Sequence, residues 1–309
     1  MKCIRRIIKT IFIISEKLPA IGKIVKNIRI NILNNYRIWL VQQSEDNIFI
    51  PRVENAGSIV GNYQIMHNGI KILKDGYYGD WVTRMFSENR GVHEPQEERV
   101  FQEVLKKIPR GGCMVELGAY WSFYSLWFYK NIPEAKCYMV EPSSDNIKIG
   151  ERNFEENSSK GIFINACIGN SNEFPGVRVA TMDELMEEYQ IKHLSILHSD
   201  IQGSEYEMIK QSSELLKENR IDYVFISTHT NEIHYKCLEY IKKYQYDIIA
   251  EYDVDKSFSW EGLIVANSKL VEHVDINNIS INRRPRHILD WKDVGKTDWA
   301  MFKKFIKNG

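Results

Sequence analysis

Several things are scarce in this sequence, and each scarcity excludes something. Net charge is absent: 41 Lys and Arg residues face 41 Asp and Glu residues. No global field therefore marks a nucleic-acid binder or an enzyme for an acidic substrate. Cysteines number five, an odd count with no Cys-x-x-Cys pair. That excludes a disulfide framework and a zinc site. Cys113, Cys137 and Cys167 lie in or beside apolar runs and read as small core residues of a reducing compartment. No run approaches the roughly 20 apolar residues of a spanning helix. There is no internal repeat and no low-complexity stretch. What is present, 309 residues with 43% hydrophobic and 27% charged, is an ordinary globular composition. It suffices for one large domain with extensions, or two small ones.

The cancelled charge hides an asymmetry. Residues 1–37 hold nine Lys and Arg residues against Glu16 alone. Ile7, Ile8, Ile11, Phe12, Ile14, Leu18, Ile21, Ile24, Val25 and Ile28 recur between the cations at helical spacing. Two readings stand: a helix packed on the domain with a solvated basic face, or a basic amphipathic helix on an anionic membrane face. A secretory signal does not fit, because Lys9, Glu16 and Lys17 interrupt the apolar stretch. The expectation is a cytoplasmic protein, with peripheral contact at the inner membrane face through residues 1–37.

The chain divides into a basic extension (1–44), a small glycine-rich hairpin region (45–92), a main domain (93–266) and a tail (267–309). His93-Glu-Pro-Gln-Glu-Glu98 opens a helix that Pro109 and Gly111-Gly112 stop. From there strands and helices alternate. Strands are expected at 113–117, 137–141, 161–168, 194–199, 221–227, 246–251 and 262–266. Helices are expected at 122–130, 146–157, 182–189, 205–216 and 234–243. This is an α/β pattern, a doubly wound, mostly parallel seven-stranded sheet. No helix separates the last two strands, so one of them enters antiparallel.

In such sheets ligands bind beyond the carboxyl ends of the strands, near the topological switch point. The first strand ends in Glu116-Leu-Gly118-Ala-Tyr-Trp-Ser122. The further glycines of a dinucleotide fingerprint, which let backbone approach a pyrophosphate, are missing. Glu141 ends the second strand, 23 residues beyond Gly118, where an acid accepts both ribose hydroxyls. S-adenosylmethionine has a ribose and no phosphate, and suits both observations.

Four segments carry a resemblance: Glu116-Leu-Gly-Ala-Tyr-Trp-Ser-Phe-Tyr-Ser125, Val140-Glu-Pro-Ser143, Asn165-Ala-Cys-Ile-Gly169 and His198-Ser-Asp-Ile-Gln-Gly-Ser-Glu205. In order and spacing they resemble the successive motifs of the FkbM-type S-adenosylmethionine-dependent methyltransferases, from about Glu94 to Ala266. The resemblance implies a Rossmann-like class I methyltransferase fold and O-methylation of sugar or polyketide hydroxyls. It implies that Gly118, Ala119 and Tyr120 face the methionine part of the cofactor and Glu141 its ribose, with Glu116, Pro142 and Ser143 also binding the cofactor. Ala166, Cys167 and Ile168 then border the adenine, and Asp200 stands at the reaction centre. The sequence departs from the pattern at four places. Ser122, preceded by Trp121, replaces a glycine; His198 replaces a lysine; Gln202 replaces a glutamate. The resemblance is to a divergent branch.

A hydroxyl acceptor must lose its proton, so a base helps. His229, after the fifth strand, is the expected base, with Asp200 orienting it or holding the cofactor amine. His198 shares the face of Asp200 by the period of two. An alternative makes His198, Asp200 and His229 a metal set, although no ligand spacing demands it and no metal is expected. His93, Glu94 and Glu98 read either as helix caps or as contacts to cofactor or substrate. The expected partner is a small-molecule or glycan acceptor, not a nucleic acid. Two rivals remain: a non-catalytic S-adenosylmethionine-fold scaffold, and an NAD-dependent oxidoreductase.

Overall fold

The computed structural model of the chain describes residues 19–169, 174–276 and 279, with side chains for all of these but 19–26 and 29. Residues 1–18, nearly half of the basic segment, and residues 280–309 of the tail lie outside the described residues. Helix α1, Pro19–Gln42, turns its last turns inward. Tyr36, Trp39 and Leu40 pack with Phe258, while Ile38 and Val41 enter the main core. Ile28 and Ile30 face out. No described helix is long and apolar enough to cross a membrane.

Residues 45–92 form more than a hairpin. Strands β1 (Ile59–Val60), β2 (Tyr63–Ile65) and β3 (Lys71–Leu73) make an antiparallel sheet, and helix α2 (Asp80–Glu88) follows. The region is held by apolar burial: Met66, Ile72, Val82 and Phe86 share one core with Phe101, Trp121 and Trp127 of the main domain. Helix α3, Pro95–Leu105, begins at Pro95, whose missing N–H costs nothing in a first turn.

The main sheet contains β4 (Cys113–Leu117), β5 (Lys136–Val140), β6 (Ile162–Ile164), β9 (Leu194–Ser199), β10 (Ile221–Thr228), β11 (Tyr246–Tyr252) and β12 (Gly262–Ser268). Their order is β11-β12-β10-β9-β4-β5-β6. Only β12 runs antiparallel, pairing with β10 and β11 on either side. The helices are α4 (Phe123–Asn131), α5 (Ser144–Glu156), α6 (Met182–Glu188), α7 (Glu205–Gln211), α8 (Ser213–Lys217) and α9 (Asn231–Ile241). Strand residues alternate between two cores: Met114, Ile196 and Phe225 face one, and Val115, Leu197 and Val224 face the other. A sheet covered on both faces explains why these strands read as continuous apolar runs. The chain leaves β4 in one direction and returns through β9 in the other, so the switch point lies between their carboxyl ends.

Two expected elements divide. The strand expected at 161–168 breaks at Asn165, whose side-chain amide donates to the carbonyls of Glu141 (3.0 Å) and Pro142 (2.7 Å). The chain then leaves the main sheet as β7 (Ala166–Ile168) and pairs in parallel with β8 (Arg178–Ala180), a strand the pattern does not announce. The helix expected at 205–216 breaks at Ser212. Its hydroxyl donates to the Met208 carbonyl at 2.9 Å and competes with the helical ladder. Cys113, Cys137, Cys167 and Cys237 are buried free thiols. Burial pushes Cys113 and Cys237 up to about 12, which leaves both inert.

Candidate active site

The turn after β4 is built around a close approach. Gly118 has φ of 72°, and a Cβ there would stand 1.8 Å from the Asp200 carbonyl oxygen. Only glycine lets the ends of β4 and β9 meet this closely. The turn amides are already engaged. Those of Gly118 and Ala119 donate to the Val140 carbonyl, that of Tyr120 to Glu141 Oε2 and that of Ser122 to the Ala119 carbonyl. Glu116 accepts the amide of Ser125 in the first turn of α4 at 2.9 Å. A pyrophosphate would need such amides free, so the turn disfavours a dinucleotide.

A cavity of about 720 Å³ opens at the switch point, within the range of small-molecule sites, roughly 300–1,000 Å³. Glu116, Gly118, Ala119, Tyr120, Glu141, Pro142, Ala166, Cys167, Ile168, His198 and Asp200 all line it. Ser143 does not; its hydroxyl caps α5 by accepting the Asn146 amide at 3.3 Å. Glu141 accepts from the amides of Tyr120 (3.1 Å) and Ser143 (2.9 Å) and from the Asn146 side chain (3.1 Å). A carboxylate offers about four acceptor sites, so room remains on Oε2 for one hydroxyl rather than two. Burial outweighs these bonds and raises the Glu141 pKa.

Sequence reasoning missed part of the lining. Tyr77 and Tyr78, from the region before α2, wall the cavity beside Tyr120 and Trp121, and Asn146, Phe174 and Gln202 complete it. Tyr77 stacks on Trp121 at 4.4 Å, and the Gln202 side chain donates to the Tyr78 hydroxyl at 3.1 Å. Two of the departures from the family pattern, Trp121 and Gln202, are thus the residues that touch this added wall. Among the described residues no lysine or arginine lines the cavity, while Glu94, Glu116, Glu141 and Asp200 do.

Asp200 and His229 do meet. His229 Nε2 lies 3.4 Å from Asp200 Oδ1 and 3.5 Å from Glu261 Oε1, and Nδ1 hydrogen-bonds Glu205. Strand register explains Glu261: Thr228 pairs with Gly262, so the next residues outward, His229 and Glu261, face each other. Burial alone would lower the His229 pKa, but Glu205, Glu261 and Asp200 outweigh it and push it up to about 11. An imidazolium cannot accept a proton. The expected histidine base therefore meets surroundings that keep it charged at neutral pH. Burial and Glu261, opposed by His229, hold Asp200 well above the usual carboxylate range.

His198 stands apart from this group. Its Nε2 is 2.7 Å from Glu97 Oε1, and its ring lies 4.4 Å from that of Tyr124. Burial raises Glu97 and lowers His198, disfavouring the charged form of each. Among the described residues, the group with metal-ligand spacing is Asp200, His229 and Glu261, so Glu261 takes the place that the alternative gave to His198. His93 and Glu94 line the cavity. Glu98 instead accepts the amides of His93 (2.9 Å) and Glu94 (3.1 Å) at the start of α3.

The donor set fits S-adenosylmethionine. Glu141 keeps acceptor capacity for a ribose hydroxyl, and the carboxylates of the lining suit a sulfonium and an ammonium. The family model described as the methyltransferase FkbM domain matches residues 138–248. No curated protein matches. Solved structures similar to this chain include a putative rRNA methylase from Clostridium thermocellum, at 10% identity over 56% of this chain and 94% of that one, with a TM-score of 0.42. M. capricolum TrmK in complex with S-adenosyl-homocysteine is similar at 15% identity, over 57% of this chain and 71% of that one, TM-score 0.37. A putative S-adenosylmethionine-dependent methyltransferase from Streptococcus mutans is similar at 12% identity, over 68% and 56%, TM-score 0.43. With that domain match over residues 138–248, the protein is an S-adenosylmethionine-dependent methyltransferase.

Proposed function

We propose that the protein methylates a hydroxyl of an uncharged, sugar-like acceptor, a glycan or glycolipid precursor. The observation that carries this is the cavity's aromatic lining, Tyr77, Tyr78 and Trp121 beside Tyr120, with carboxylates and, among the described residues, no lysine or arginine. Aromatic faces bind the apolar faces of sugar rings. A phosphate or carboxylate on the acceptor would find no lysine or arginine there, and His93 is already paired with Glu94 and Glu98, which weighs against a nucleic-acid substrate. The nine cations of residues 1–37, with Ile28 and Ile30 exposed on α1, support work at an anionic membrane face, where lipid-linked glycans reside.

S-adenosylmethionine, when bound, supplies a methyl group on a sulfonium that leaves as the neutral thioether. The chain's own residues hold the acceptor and manage its proton. Asp200 lines the cavity and receives the hydroxyl proton as the oxygen–carbon bond forms and the carbon–sulfur bond breaks. His229 holds Asp200 from behind, and the aromatic wall excludes water.

Calorimetry with S-adenosylmethionine, then S-adenosylhomocysteine formation over a panel of neutral and phosphorylated glycans, tests this reading. Turnover is expected with neutral acceptors. Asp200→Asn should lower it roughly 10²–10⁴-fold. Cofactor binding without turnover on any acceptor would leave a scaffold; preference for phosphorylated acceptors would overturn the acceptor class.

A further inference from the structure

The imidazole of His229 sits between carboxyl groups in a particular order. Behind the ring, Nδ1 hydrogen-bonds Glu205, which is fully buried and whose Oε2 accepts the Gly203 amide at 2.9 Å. In front, Nε2 faces Asp200 Oδ1 at 3.4 Å and Glu261 Oε1 at 3.5 Å. Without a metal the ring carries its second proton on Nε2, between the two carboxyl groups; a divalent cation would replace that proton and leave Nδ1–H donated to Glu205. Asp200 Oδ1 and Glu261 Oε2 are buried oxygens with no hydrogen-bond partner. Arg37, the cation that acts on Glu261 from α1, lies over the Trp260 ring at 4.4 Å and forms no ion pair with Glu261 within 4.0 Å.

The spacing matches an ion. Ligands about 2.1 Å from a tetrahedral centre stand about 3.4 Å apart, close to the two separations at Nε2. The three ligand atoms lie within 4.8 Å of one another. A carboxylate behind the ring is the usual way in which a metal-binding histidine is fixed in tautomer and orientation. We propose that Asp200, His229 and Glu261 hold a divalent cation, with Glu205 positioning the histidine.

Two carboxylates and one imidazole leave coordination positions open, and oxygen-rich sets of this kind take Mn²⁺, Mg²⁺ or Zn²⁺. Asp200 lines the cavity while His229 and Glu261 do not, so Asp200 is the ligand that would join the ion to a bound acceptor. An acceptor with two adjacent hydroxyls, a vicinal diol of a sugar ring, would chelate there and lose a proton more readily. This deepens the methyl-transfer reading and rests on it for the acceptor, though not for the ion.

The test uses the full chain stripped with a chelator, without acceptor. Mn²⁺ is titrated in, and free ion is followed by electron paramagnetic resonance. One site is expected. Glu261→Gln and His229→Gln should each weaken Mn²⁺ at least tenfold, and Glu205→Gln roughly 10–100-fold, with thermal melts confirming the fold. S-adenosylmethionine affinity is measured on the same samples by calorimetry. Cofactor binding with no Mn²⁺ site, or with Mn²⁺ affinity untouched by Glu261→Gln, overturns the metal site and leaves the methyltransferase reading standing. Mn²⁺ binding without cofactor binding does the reverse.

Discussion

Glu141 braces the turn beside which it is placed to receive a ligand. Its three internal bonds tie the β4 turn, through Tyr120, to the start of α5, through Ser143 and Asn146. Glu141→Ala therefore removes a ribose acceptor and loosens the turn together. A hydrogen bond to a charged group contributes roughly 1.5–3 kcal/mol, so S-adenosylmethionine affinity should fall at least tenfold, with a lowered melting temperature. Calorimetry on folded protein decides: unchanged affinity would take Glu141 out of the cofactor site. At this scale the sequence was informative about strand ends. Gly118, Glu141 and Asp200 could be placed because each closes an apolar run. Glu261 could not. It belongs to the site through the pairing of Gly262 with Thr228, a register between distant segments that no local pattern carries. Glu205 was visible as the last residue of the fourth motif, but nothing in the sequence shows that it meets His229.

The elements show how a departure from a family motif is accommodated. Ser122 stands where the pattern has glycine, and it keeps the glycine's left-handed conformation, φ 58°, a strain of roughly 1–2 kcal/mol for a residue with a side chain. Its hydroxyl is buried with no hydrogen-bond partner and lies against Gly150 of α5. A Cβ at Gly150 would stand 2.6 Å from Ser122 Oγ and 2.8 Å from Phe163 Cε1. Turn and helix thus share one small space, with the side chain on the turn and the glycine on the helix. Ser122→Gly should stabilise the protein by about 1 kcal/mol. Gly150→Ala should destabilise by about 1–3 kcal/mol through overpacking, and less when combined with Ser122→Gly, giving a coupling of at least 0.5 kcal/mol, about the threshold for residues in contact. Strictly additive urea-unfolding free energies would show that the two positions do not share this space. Most strands and helices were legible as elements because burial on both faces writes long apolar runs. The breaks at Asn165 and Ser212 were not, because each goes with a polar side chain that bonds nearby carbonyls.

Across the whole molecule, the segment before α3 and the methyltransferase domain are joined by buried charge as well as by apolar core. His67 Nε2, from the loop between β2 and β3, lies 3.1 Å from Glu98 Oε2. His93 bridges Glu98 at 2.6 Å and Glu94 at 2.9 Å, and the Tyr124 hydroxyl donates to Glu94 at 2.9 Å. Burial alone would lower His93, but Glu94 and Glu98 outweigh it and push it up to about 10. Burial alone would raise Glu98 and Glu94, but the histidines outweigh it and lower both. The signs set the pH window. A raised histidine contributes fully below its unfolded value, about 6.5, and that contribution is lost as pH rises through about 10. The depressed carboxylates contribute above their unfolded value, about 4.3, and lose it as pH falls. Stability should therefore be greatest between these unfolded values and decline steadily from neutral pH toward 10. His93→Gln leaves Glu94 and Glu98 buried beside a neutral group. It should cost about 3–5 kcal/mol at pH 6, the usual result of removing one partner from a buried ion pair. It should also flatten the decline between pH 7 and 10. Urea unfolding of wild type and variant across that range measures both. Parallel curves would mean that His93 is uncharged in the native state.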